Sequence, residues 1–264
     1  MTVRREARTT DDGYRSQLAP GLRSSEDAQR LAEEIAFATT RLGALAAAPP
    51  GIYAQIAGEE DLEQATWLAF LLALLGPLET SEPFAEIERV RVAWGEPVSL
   101  DGALAGPRGA LDGGRSADTI TAYHRFAQRA GDQRTAFTGD PSWSPRQRFE
   151  RIHERLGLPS FHRRARYDML VALGRLGRYE LSAPSLLLTE DDVVMLSAKR
   201  VFGIGDRMTI ERRSRALAHE ADAPIEALDL ALENWGREER VTQGFPELEP
   251  AESALAGAQA ALAL

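Results

Sequence analysis

Lys199-Arg200-Val201-Phe202-Gly203-Ile204-Gly205-Asp206-Arg207 lies between two helical patterns, and Asp229 follows 24 positions after Gly205. The stretch reads as a tight hairpin joining two helices, one over about 190–201 and one from Arg207 to Ala221. Two glycines let the backbone adopt φ > 0 and let another molecule come close. Amides at the start of the second helix would face outward as an anion site. Gly203 and Gly205, with the amides near Asp206 and Arg207, are therefore candidates to hold a phosphate. Many helix turns use glycine, so the pattern also suits a plain turn. Asp206 would repel an anion, and its other reading is a cap on the second helix.

Working outward, most of the chain reads as helix. Ser24-Ser25-Glu26-Asp27 looks like a helix cap, followed by an amphipathic stretch to about Leu45. Pro49-Pro50-Gly51 breaks it. Leu62 to Leu75 is apolar almost all round, which predicts a central core helix ended by Gly76-Pro77. Further helices are expected over Pro83 to Trp94, from Ser116 through Ala130, over about 145–156 and 160–176, and from Pro224 to about Glu238. Pro145 suits a first helical position. Thr189-Glu190-Asp191-Asp192 gives the helix before the hairpin an acidic start. Ser99 to Gly114, with five glycines and a proline, reads as loop. Period-two runs of β-branched residues are few, and Ala, Leu, Arg and Glu dominate. The expected fold is all-α. Residues 1–23 are expected to form a flexible N-terminal arm, 24–240 the helical domain, and 241–264 a C-terminal tail.

Composition narrows the function. The 264 residues suffice for a substantial core, and 44% hydrophobic with 27% charged is ordinary for a globular chain. Absence of cysteine excludes disulfides and thiolate chemistry. With His124, His153, His162 and His219 lacking ligand-like pairing, no metal site is expected. No cofactor and no obligate protein partner is implied. The longest apolar run, Trp67 to Leu75, is too short to span a bilayer, and no signal peptide is evident. The expected setting is cytoplasmic, without a membrane partner. Net charge is −9, yet residues 145–215 hold 15 Lys+Arg against 9 Asp+Glu, a balance of +6 that leaves −15 for the remainder. A basic segment in an acidic protein suits a DNA face, and suits solvated helix faces equally well. Lys199 is the only lysine.

The order helix, Val201-Phe202-Gly203-Ile204-Gly205 hairpin, helix, then Pro224 to Asp229 resembles the helix-hairpin-helix DNA glycosylase superfamily. Phe202 stands where that family usually has proline. Arg207 stands near the catalytic lysine of bifunctional members, which argues against a β-lyase step. Ser160 to Tyr167 resembles the basic start of the helix preceding the motif, and Ala65 to Leu75 an early core helix. Leu228 to Arg237 also resembles the C-terminal helix of archaeal-type oxoguanine glycosylases. The whole is most similar to a divergent branch that includes α-glutamyl/putrescinyl-thymine pyrophosphorylase-type proteins. The resemblance covers about 145–240. It implies two helical subdomains with a cleft between them and a helix-hairpin-helix motif at about 190–221. It also implies double-stranded DNA as partner and a monofunctional DNA glycosylase that flips out a damaged or modified base. A modified phage base, removed in phage defence, is the substrate class to test first.

Cleavage of an N-glycosidic bond passes through a sugar carrying positive charge, which a fixed carboxylate stabilises while orienting water. Asp229 is the candidate, with salt-bridge partner as its other reading. Asp222, 17 positions after Gly205, is the rival, although Ala221-Asp222-Ala223-Pro224 reads as a turn. Lys199, Arg200, Gly203, Ile204, Gly205, Arg207, Arg163 and Arg164 are the candidate DNA contacts. Lys199 and Arg200, taken singly, read more readily as charges that stabilise the end of the helix before the hairpin, and Arg163 and Arg164 have the same two readings. Trp67, Tyr123, His124 and Trp235 are candidate walls for a flipped base, and each also suits the core. The alternative function is a non-catalytic helix-hairpin-helix DNA-binding protein. A helical adaptor unrelated to DNA is a third reading.

Overall fold

The structure, a computed structural model, describes residues 11–190 and 192–264. Among the described residues there are twelve helices and no strand. In chain order they are α1 (Ser25–Ala47), α2 (Gly51–Gly58), α3 (Leu62–Leu75), α4 (Ala85–Val90), α5 (Ser116–Ala130) and α6 (Gln133–Thr138). There follow α7 (Pro145–Arg155), α8 (Arg163–Arg175), α9 (Val193–Phe202), α10 (Arg207–Glu220), α11 (Ile225–Trp235) and α12 (Glu252–Leu262). The all-α class expected from the sequence is what the structure has. No helix among the described residues is long and apolar enough to cross a membrane.

The chain divides into two compact units. One holds the described residues up to Thr40, Leu188–Arg240 and Glu249–Leu264. The other holds Arg41–Leu187 and Val241–Leu248.

The second unit is built on α3. Ten of its fourteen residues are buried, from Ala65 to Leu75 with Leu68 half-exposed. It packs against α2, α4, α6 and α8. Asp61 starts it by accepting a hydrogen bond from the Glu63 amide at 2.9 Å. Gly76 ends it at φ 69, where an added Cβ would lie 2.7 Å from the Gly109 amide. The glycines of the 99–114 loop thus let that loop close directly on the end of α3. Full burial of a side chain such as Phe70 or Leu71 contributes about 1.5–3 kcal/mol. Residues 241–248, expected within a tail, are bound here. Gln243 donates to Asp168 at 3.2 Å, and Asp168 is held bidentately by buried Arg108 at 2.7 and 2.8 Å.

The first unit packs α9, α10 and α11 against one another, with α12 on α10. The C-terminal stretch from Glu252 is therefore a docked helix. Residues 1–10 of the expected N-terminal arm lie outside the described residues. From Asp12 onward the segment is anchored: Ala19 and Leu22 are buried, and the Gly21 amide donates to Val201 O at 2.9 Å.

Sequence boundaries shifted in physical ways. The helix expected over Pro83 to Trp94 is only Ala85–Val90. Two short helices, α2 and α6, were not expected. Gly51 opens α2 directly after the proline break, and Asp132 caps α6 by accepting from the Thr135 amide at 2.6 Å. Pro145 holds the first helical position as expected, and Ser144 and Gln147 form a reciprocal cap around it.

Candidate nucleic-acid interface

The hairpin grows from local rules. Asp192 caps α9 by accepting from the Val194 amide at 2.9 Å, while Asp191 lies outside the described residues. Val194, Met195, Ala198, Val201 and Phe202 form the buried face of α9. Phe202, where the resembled family has proline, is fully buried and anchors the end of α9 in the core. Gly203 stops the helix at φ 80, ψ 165, a region open essentially to glycine alone. Carbonyls left over at this end find donors, since Gly21 N–H bonds Val201 O and the Arg213 guanidinium bonds Phe202 O.

Gly205 differs from its neighbour. It is not at positive φ, and an added Cβ would meet Thr209 at an ordinary 3.4 Å. Only the first glycine is thus demanded by backbone conformation. Asp206 takes the capping role, its carboxylate accepting from the Thr209 amide at 2.7 Å. The hydrogen bonds from that amide and the Thr209 hydroxyl hold its carboxyl below the usual range, so it stays ionised. The start of α10 therefore already carries one anion of its own, which corrects the reading of its first-turn amides as an open phosphate seat.

What remains outward is the tip. Ile204 is 97% exposed and Met208 is 78% exposed. Arg200 and Arg207 are exposed beside them. Arg212 and Arg215, also exposed, continue the Met208 face at i+4 and i+7. These two arginines were not singled out from the sequence, although the helical period starting at Met208 points to them. Lys199 is half-buried and pairs with Glu190 at 3.0 Å. Such a surface pair is worth little and exchanges readily for another anion. The Arg200 guanidinium lies 4.8 Å above the Trp235 ring, which leaves its charge at the surface.

Arg163 sits in the other unit, 3% exposed, donating to Leu186 O at 2.8 Å and lying over Tyr167. A guanidinium so enclosed is a structural cation, and its expected role as a DNA contact is corrected accordingly. Arg164 is only partly exposed, with Pro107 O at 3.5 Å from its guanidinium.

Asp229 occupies the second turn of α11, which packs on both hairpin helices. It is 1% exposed, as is Glu233 one turn later. The Glu233 carboxylate is bound by Arg237 Nε at 3.0 Å. Asp222, the rival, is exposed in the α10–α11 turn at φ 51, a conformation aspartate tolerates.

Of the proposed base-pocket residues, Trp67, Tyr123 and His124 cluster within one unit, the Trp67 ring lying 5.9 Å from Tyr123 and 5.5 Å from His124. Trp67 and Tyr123 are core: the indole N–H bonds Val92 O at 3.0 Å and the phenol donates to Gln133 at 2.6 Å. Phe70 stacks between their elements, 3.8 Å from the Tyr123 ring and 5.4 Å from Trp67. His124 is half-exposed and stacked 4.5 Å from Trp94, which no sequence motif marks as part of a site. Trp235 belongs to the other unit, buried, with its N–H on Asp27 O at 2.9 Å. Beside Trp67 runs an open groove of about 810 Å³, bordered by Gln55, Glu59, Glu60, Gln64 and Arg91. Its carboxylates disfavour a polyanion.

No family model, no curated protein and no solved structure matches the chain.

Proposed function

We propose that the protein binds duplex DNA through the α9–α10 hairpin. One observation carries this reading: the hairpin tip projects into solvent with exposed Arg200, Arg207 and Arg212 around it, in a chain whose overall charge is −9. Arginine is suited to phosphate by its forked donors, and several such contacts give binding that weakens steeply with salt. The grip comes from these guanidiniums and from close approach at Gly205, rather than from the first turn of α10, which Asp206 already caps. Gly205→Ala tests the approach. It leaves the fold intact, because the new Cβ meets only Thr209, and it weakens DNA binding measured by fluorescence anisotropy. Unchanged affinity in that variant contradicts a close backbone contact there.

Base excision is the second reading, favoured by the place of Asp229 on a helix packed against both hairpin helices. In this reading Asp229 stabilises the developing positive charge on the deoxyribose and orients water. The test is mass spectrometry of bases released from damaged and phage genomic DNA. Asp229→Asn abolishes release while DNA binding persists; full activity of that variant removes Asp229 from the chemistry.

A further inference from the structure

Four observations at the hairpin tip point beyond phosphate contact. Ile204 is almost fully in water, and Met208, four residues on, is nearly so. Neither supports the fold, because the buried faces of α9 and α10 are made by other residues, among them Val201, Phe202, Ile210 and Leu217. The exposed apolar surface on the α10 side is also short. On the face that begins at Met208, the next two positions are Arg212 and Arg215. Finally, Arg200 and Arg207 border the tip on either side of Ile204 in the chain.

That arrangement discriminates between partners. A helix that lies in a membrane surface, or docks in a protein groove, continues its apolar stripe at i, i+4 and i+7. On α10 that stripe turns cationic after one turn, and on α9 the exposed Val193 and Leu196 are likewise followed on their face by Arg200. An apolar point followed by arginines instead matches proteins that place Ile, Leu or Met between base steps while cations hold the flanking phosphates. The dimensions agree. Arg212 stands about 6 Å along the helix axis from Met208. The minor groove of B-DNA is about 6 Å wide, so a guanidinium there reaches the bordering backbone when the tip is in the groove.

We infer that Ile204 and Met208 form an apolar wedge that enters a base step of the bound duplex and unstacks it, with Arg207 and Arg212 on the adjoining phosphates. This rests on the DNA-binding reading above. The wedge favours sites that are cheap to unstack, such as pyrimidine–purine steps, mismatches and damaged bases.

The test uses the full chain and 20-bp duplexes with 2-aminopurine at successive positions around a central TA step. Binding is followed by anisotropy and unstacking by 2-aminopurine fluorescence. The wild-type protein binds and raises fluorescence several-fold at one or two adjacent positions. The double variant Ile204→Ala/Met208→Ala, whose thermal unfolding matches wild type because both residues are exposed, keeps the same salt slope. Its affinity changes by no more than about tenfold, as expected for losing burial of two side chains against the recovered stacking, and its fluorescence increase is lost. Ile204→Leu, with Met208 retained, keeps the fluorescence increase. Wild-type binding with normal salt dependence but unchanged fluorescence at every position overturns the wedge and leaves the DNA-binding reading standing. Absence of binding at low salt overturns the DNA-binding reading itself. Binding to phosphatidylserine vesicles that the double variant abolishes, with no unstacking of DNA, overturns the wedge in favour of a membrane contact.

Discussion

The α3 aromatic cluster and the α9–α10 hairpin use similar apolar residues to opposite ends. Around α3, Trp67, Phe70 and Tyr123 are fully enclosed, and every polar atom of Trp67 and Tyr123 has found a partner inside. At the hairpin, Ile204 and Met208 stand in water beside arginines. Aromatic residues in a helical pattern therefore mark the scaffold here. The informative surface is the hairpin tip, where the two most exposed large apolar side chains of the described residues stand four positions apart.

The largest effect expected on this contrast is at the core. Trp67→Ala removes a side chain stacked on Phe70 and should lower unfolding free energy by about 3–5 kcal/mol in a denaturant titration. A loss under about 1 kcal/mol would show that Trp67 is not enclosed as described. Next come the two glycines. Gly203→Ala forces alanine into a glycine-only conformation and should cost about 1–3 kcal/mol. Gly205→Ala should cost little stability while weakening DNA binding. Equal stability losses at both positions would erase the distinction between a conformational and a contact glycine.

A pH effect follows from His162, which starts α8. Its Nδ1 accepts from the Ala165 amide at 3.3 Å, and its Nε2–H donates to Gly109 O at 3.1 Å, an arrangement that requires the neutral ring. Burial first, then the nearby Arg164 charge, lowers its pKa below the ordinary 6.5. As pH falls past that value the unfolded chain takes up a proton that the folded chain resists. Stability is thus complete above about pH 6.5 and declines as pH drops through the lower folded value. His162→Asn, which keeps a capping side chain without the titration, should flatten the Tm profile below pH 6.5. An unchanged profile assigns the acid sensitivity elsewhere. The smallest effect is at the tip: Ile204→Ala should shift stability by less than about 0.5 kcal/mol.

Much of the fold was legible because helix signals are local. The all-round apolar run of α3, the Ser144-Pro145 start of α7 and the Asp192 and Asp206 caps are each written within a few residues. The short helices α2 and α6 were not, since one begins at a glycine after two prolines and the other spans only six residues. The site was legible in part for the same reason. Gly203-Ile204-Gly205 announces the turn, yet which glycine is conformationally required depends on backbone angles. The division of labour among the arginines depends on packing between distant segments, so Arg163 read like Arg207 although one is enclosed and the other exposed. Trp67 and Tyr123 read as pocket walls because the sequence does not reveal that Val92 and Gln133 satisfy them.

The most direct test of the central claim is the salt dependence of binding to a duplex, measured by anisotropy for wild type and for Arg207→Ala/Arg212→Ala. The account predicts submicromolar to micromolar binding at low salt, a linear fall of log affinity with log salt, and a slope about 2 smaller in magnitude in the double variant. Binding absent at low salt, or a slope identical in the two proteins, would contradict a DNA interface at the hairpin.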